Sequence, residues 1–285
     1  MTRLSNAIAA SLALLLVSPG CASSSDTPED HASPRPQQEE DSAARVHQRL
    51  SQAEEAWTHR LDTNQLFTAI EAWEEASTLA QTSESLSPEE RSDIALRLAR
   101  AYDFAADATQ RGLSERETDA ASLARLGAAR AQVALSLTPN SPHARFWLMQ
   151  NLRRAAHAEG VAASLEAAPQ IHELLDELIA NPPRDLEAQV KLARAWRACG
   201  ADFGRDLASC ETSLDQAATQ APDLLDVALA HALLLDVARN DRAAFEARLN
   251  AIANTPTDAL SPEATLRVRE ARELVQKSDR LFGPS

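Results

Sequence analysis

The side chains that could do chemistry are few, and their spacing serves none of the usual reactions. Seven histidines occur: His31, His47, His59, His143, His157, His172 and His231. Zinc hydrolysis needs two imidazoles on one helical face, as His-Glu-x-x-His supplies. His172-Glu173 has no second histidine at that spacing. A serine nucleophile needs the strained turn of Gly-x-Ser-x-Gly, and a phosphate cradle needs Gly-x-x-x-x-Gly-Lys; neither string is present. Adjacent carboxylates such as Asp176-Glu177 face different directions on a helix and read as a solvated surface. These residues argue against an enzyme and call for neither a metal nor a cofactor.

The three cysteines carry more. Arg3 precedes an apolar run from Ala7 to Val17, interrupted by Ser11, and Ser18-Pro19-Gly20-Cys21 follows. That is the layout of a secretory signal over 1–20, with an apolar stretch too short to span a bilayer stably. The junction resembles a bacterial lipobox, which implies a diacylated Cys21 as the mature N-terminus. Ordinary cleavage after Gly20, leaving Cys21 unmodified, is the alternative. Each buried methylene of an acyl chain contributes about 0.8 kcal/mol, so several chains make release negligible. Ala22 resembles the outer-membrane sorting pattern, which implies a periplasmic, outer-membrane-anchored chain. Cys199 and Cys210 flank a short loop between two helices. In an oxidising compartment such a pair often bonds; two buried thiols are the alternative, since a bridge needs Cα atoms within about 7 Å.

These residues must be positioned by helices. Residues 21–43 carry only Ala22, Ala32 and Ala43 as apolar members after the cysteine, with Pro34, Pro36 and the cluster Glu39-Glu40-Asp41. They cannot build a core and read as a disordered acidic tether. Residues 44–280 are rich in Ala, Leu, Glu and Arg, the chain has only seven glycines, and period-two alternation is nowhere sustained. The class is all-α. Helices are expected at about 43–60 and 63–81, then from the capping box Ser87-Pro88-Glu89-Glu90 to Arg111. Ser114 with Glu117 opens the next, to Leu137, and His143–Glu159 follows. Further helices are expected from Pro169 to Ala180, Asp185 to Ala198, Arg205 to Thr219, Pro222 to Ala238, at 242–253, and from Ser261 to Lys277. The formal charge is −14, or −15 once residues 1–20 with their single Arg3 are removed. That disfavours nucleic acid as a partner and adhesion to an anionic lipid surface through charge alone.

Three breaks share a pattern: Leu137-Thr138-Pro139, Ala180-Asn181-Pro182 and Gln220-Ala221-Pro222, with prolines 43 and 40 residues apart. Each precedes a helix with a large apolar residue, Trp147, Trp196 and Leu233 in turn. Helix pairs closed by proline at a spacing near forty predict a right-handed solenoid of degenerate tetratricopeptide-like pairs.

The stretch Leu137–Leu152, with Phe146, Trp147, Asn151 and Leu152, and Gly160 after it, resembles the TatT family. These are tetratricopeptide-repeat lipoproteins associated with tripartite ATP-independent periplasmic (TRAP) transporters. The resemblance runs over most of 90–277 and is specific across about 137–175. It implies a periplasmic accessory that binds the transporter's substrate-binding protein, can self-associate, and can pass a small organic ligand. Trp147 and Asn151 lie four apart, on one helical face, so with Phe146 they could line a binding groove. They could equally fill the repeat core, with Asn151 tying down a neighbouring loop. An adaptor in outer-membrane or envelope protein assembly, with no small ligand, uses the same architecture and is the competing function.

Overall fold

The computed structural model describes residues 35–113, 118–199 and 207–283. The chain divides into two units, Met1–Arg35 and Pro36–Ser285, and the apolar core lies in the second. Among the described residues all regular structure is helical. The signal segment, Cys21, the tether up to residue 34, the Ser114/Glu117 start and the Gly200/Gly204 loop lie outside the described residues.

The longer helices are α1 (Arg35–Thr58), α2 (Thr63–Thr82), α3 (Pro88–Gln110), α4 (Ala120–Leu137), α5 (Pro142–Glu159) and α6 (Val161–Ala180). A 3₁₀ turn at Arg184–Leu186 leads into α7 (Glu187–Cys199), followed by α8 (Leu207–Gln220) and α9 (Leu225–Ala230). A π-helical turn, His231–Asp236, continues α9; then come α10 (Arg242–Ala253), α11 (Pro262–Gln276) and α12 (Ser278–Phe282).

Helix starts fall where the sequence supplies an oxygen for the unpaired first amides. Ser87 accepts from the Glu90 amide and Glu90 reaches back to the Ser87 amide at 2.8 Å, closing the capping box with Pro88 in the first turn. Ser141, Asp241 and Ser261 cap α5, α10 and α11 by accepting from the amides of Ala144, Ala244 and Ala264, without the reciprocal bond. Gly112, at φ +67°, ends α3 in the left-handed conformation that a side chain would resist, and the Leu113 amide donates back to the Ala108 carbonyl.

Three boundaries differ from the sequence reading. The first helix begins at Arg35, inside the stretch read as a tether to residue 43, because Gln37-Gln38-Glu39-Glu40 are good helix formers and Pro36 is tolerated in a first turn. Asp119 caps α4, accepting from the Ser122 amide at 2.8 Å. Helix α6 begins at Val161, so Pro169 lies inside it rather than opening it. The amide missing at Pro169 would have bonded the carbonyl of Leu165, so the helix continues past the proline with one backbone bond fewer.

Packing is sequential from α2 to α6, each helix lying against the next, and α3 also meets α5. Small side chains allow the close approach: Ala95 and Ala99 on α3, Ala124, Gly127, Ala128 and Ala131 on α4, and Ala144 on α5 are all buried. Helix α7 pairs with α8, and α10 with α11. The largest apolar cluster gathers Leu66, Trp73, Leu98 and Leu123 from the first helices, yet it includes Leu266 of α11. The end of the chain therefore returns to its beginning. At that junction Arg60 lies 4.4 Å over the Trp57 ring and donates to Glu263 at 2.8 Å.

Candidate functional site

Phe146, Trp147 and Asn151 are brought together, but in the core. Phe146 is 2% exposed, and the partly buried Trp147 meets it edge-on with ring centroids 5.1 Å apart. Asn151 is fully buried. Its Nδ2 donates to the Ala99 carbonyl of α3 at 3.1 Å and to the Trp147 carbonyl at 2.9 Å, so it fastens α5 to α3. Its Oδ1 faces Gly127 of α4, where a Cβ would overlap it. Cys199 and Cys210 are joined as a disulfide, with Cα atoms 5.2 Å apart, linking the end of α7 to α8.

The most heavily charged part of the interior lies where α3, α5 and α11 meet. Asp107 on α3 accepts from Arg154 of α5 at 2.8 Å, from Arg267 of α11 at 2.7 Å and from Arg111 at 3.0 Å. Arg154 also grips Asp103 at 2.7 Å, while Arg267 reaches Asp226 of α9 at 2.7 Å and Glu270 at 3.0 Å. Burial alone would raise the Asp107 carboxyl, but the three guanidiniums outweigh it and hold the group far below the usual carboxylate range. Burial opposes the charge on Arg267 as well; Asp226, Asp107 and Glu270 reverse that and raise it. Each of these charges has its counter-charge, and the lattice joins distant helices. Nothing in the sequence signalled it, because its partners are remote in the chain and each alone reads as a surface residue. Beside it, Arg153 is pushed down to about 10 by burial and by Arg154; its guanidinium donates to Gln150 at 3.1 Å and lies 5.9 Å from the Trp196 ring.

A cavity of about 410 Å³ opens where α8, the π turn and α10 meet. Hydrogen bonding from i to i+5 widens the turn, as where the Val237 amide donates to Ala232 at 3.2 Å. In such a turn residues four and five apart share a face, and His231, Leu235 and Asp236 all line the cavity. Glu211 and Asp215 of α8 face them, with Arg239 and Arg248 at the rim. Arg239 pairs with Glu211 at 2.8 Å, and Arg248 with the buried Asp236 at 3.0 Å. The His231 imidazole, 13% exposed, stands 3.8 Å from Asp215; burial and then Arg248 lower its proton affinity. Ala218, Pro222, Leu224 and Ala228 supply the accessible apolar lining, with the buried Val227 and Leu235 behind them. A second hollow, about 680 Å³ between α1, α2 and the start of α11, presents Gln52, Glu55, His59, Asp62 and Gln65. Phe146, Trp147 and Asn151 line neither.

Among the described residues no three His, Cys, Asp or Glu side chains gather as a metal-binding group, and no helix is long and apolar enough to cross a membrane. No family model matches the chain, and no curated protein matches it.

Proposed function

We infer that this chain is an exported, lipid-anchored binding module of the cell envelope, held to the membrane through Cys21 and built from degenerate tetratricopeptide-like helix pairs. Its role is that of an accessory (T) component of a TRAP-type transport system: it binds the periplasmic substrate-binding protein and can hold a small organic ligand. The observation that carries the module reading is a recurrence in the fold. Helices α4, α6, α8 and α10 each end just before a proline, Pro139, Pro182, Pro222 and Pro256. The pairs α3–α4, α5–α6 and α7–α8 each pack internally. Paired helices punctuated at a near-constant interval favour stacked units with a shared binding face. The return of α11 onto the first helices is an addition to that plan, since units in a simple array meet only their neighbours. The transport assignment rests on the likeness of the Phe146–Gly160 stretch to TatT proteins.

The test is crosslinking in the native cell with a tagged chain, followed by mass spectrometry of what is captured. Recovery of a TRAP-type substrate-binding protein is the expected result. Capture of outer-membrane assembly factors alone would replace this role with that of an envelope adaptor. Fractionation of a Cys21→Ser variant checks the anchor: the native chain should follow the outer membrane and the variant should not.

A further inference from the structure

Three carboxylates line the cavity beside the π turn, and two of them are already neutralised. Glu211 is held by Arg239 and the buried Asp236 by Arg248, each within hydrogen-bond distance. Asp215 is the exception. The nearest charged or titratable side chain to it in the cavity is His231, whose Nε2 is 3.8 Å away, beyond a hydrogen bond. Burial and the nearby Arg248 keep that imidazole neutral near pH 7, so it brings no charge to balance Asp215. Three carboxylates against two guanidiniums leave the site with one net negative charge, located at Asp215. Ala218, Pro222, Leu224 and Ala228 supply the accessible apolar part of the lining of this cavity of about 410 Å³. Pockets for small ligands combine these parts, an apolar body with a few placed polar groups, and a π turn is a frequent accompaniment.

We propose that this cavity is a binding site for a small organic cation, an ammonium group carried on a short apolar body. The ammonium pairs with Asp215 and donates to the neutral His231 imidazole, while the apolar body lies along Ala218, Pro222, Leu224 and Ala228. An anion is disfavoured because both guanidiniums are committed to carboxylates and Asp215 would repel it. The inference deepens the binding-module reading and rests on it only for its setting: partner capture in cells reads the docking protein, whereas a titration reads this cavity, so either can fail alone.

The experiment is calorimetric titration of the purified full chain near neutral pH with three probes of matched shape: 2-phenylethylammonium, 2-phenylethanol and 3-phenylpropanoate. The ammonium should bind with one-to-one stoichiometry and the other two should not. Asp215→Asn should weaken the ammonium about tenfold or more, the scale of a lost charge-assisted hydrogen bond. Asp215 is 67% exposed, so this variant keeps its fold, which circular dichroism checks. Asp223→Asn, an exposed carboxylate outside the cavity, should bind as the native chain does. Equal binding of the alcohol or the carboxylate would overturn the proposal, as would unchanged binding by Asp215→Asn or no heat from the ammonium at millimolar concentration.

Discussion

Arg267 donates to Asp107 at 2.7 Å across 160 positions of sequence, and this bond ties α11 to α3. Asp107 is 5% exposed and also takes Arg154 and Arg111, so it is the one acceptor that holds these three guanidiniums together. Asp107→Asn should therefore destabilise the fold by about 3–5 kcal/mol, the cost of leaving buried charge uncompensated. Urea unfolding measures it; a loss below about 1 kcal/mol would show that the lattice contributes little. The pH dependence follows from the direction of the shift. The carboxyl's folded proton affinity is far below its unfolded value of about 3.9, so its stabilisation is complete above that value and is lost as pH falls toward the folded one. Native protein should lose stability below about pH 4 more steeply than Asp107→Asn does.

Gly127 and Asn151 should behave as a unit. A methyl at Gly127 would overlap Asn151 Oδ1, so Gly127→Ala should cost about 1–3 kcal/mol despite alanine's better helix propensity. Asn151→Ala removes the bond to the Ala99 carbonyl, which keeps its own helical donor, and also removes the buried, unpartnered Oδ1, so it should cost only about 0.5–1.5 kcal/mol. The double variant removes the clash along with the amide, and it should be more stable than the sum of the two losses predicts by about 1 kcal/mol or more. Additive losses in a double-mutant cycle would show that the contact is not felt.

Phe146 and Trp147 rank in a defined order if both serve the core. Phe146→Ala should cost about 3–5 kcal/mol, and Trp147→Ala less, because only the first is fully buried. Chemical denaturation gives both values. A Trp147→Ala protein that unfolds like the native chain yet no longer captures the partner would assign the indole to binding instead.

The local signals in the sequence read well and the remote ones did not. Ser87 and Ser261 are legible as helix starts because a cap involves residues only a few positions apart. Pro169 misled, since a proline usually opens a helix, whereas here it lies inside α6. The spacing of Trp147 and Asn151 correctly shows a shared helical face, but which neighbour that face meets depends on Ala99 and Gly127, supplied by two other helices. The π turn has no compositional mark at all: His231-Ala232-Leu233-Leu234-Leu235-Asp236 reads as ordinary helix. For the same reason the cavity it opens, and the Asp107 lattice, could not be found from spacing.

The Cys199–Cys210 bridge should stabilise the α7–α8 pair chiefly by restricting the unfolded chain. For a sequence separation of 11 the expected effect is about 2–3 kcal/mol. Urea midpoints of the oxidised chain and of the Cys199→Ser/Cys210→Ser double variant provide the comparison. Coincident midpoints would mean that the bridge adds nothing to the packing of Ala195, Leu214 and Ala217 around it.

His231 should give the fold a pH dependence distinct from that of Asp107. Its folded proton affinity is lowered, first by burial and then by Arg248, with Asp215, Asp236 and Glu211 pulling the other way. Between the folded value and the unfolded value of about 6.5 the unfolded chain binds more protons, so stability falls as pH drops through this window. Asp107 does not contribute there, because its carboxyl remains ionised in both states until about pH 4. Thermal melts at about pH 7.5 and about pH 5.5 should show a decline in the native chain that His231→Gln largely removes. Equal declines in the two proteins would place the titration elsewhere and would mean that the imidazole in this cavity is as easily protonated folded as unfolded.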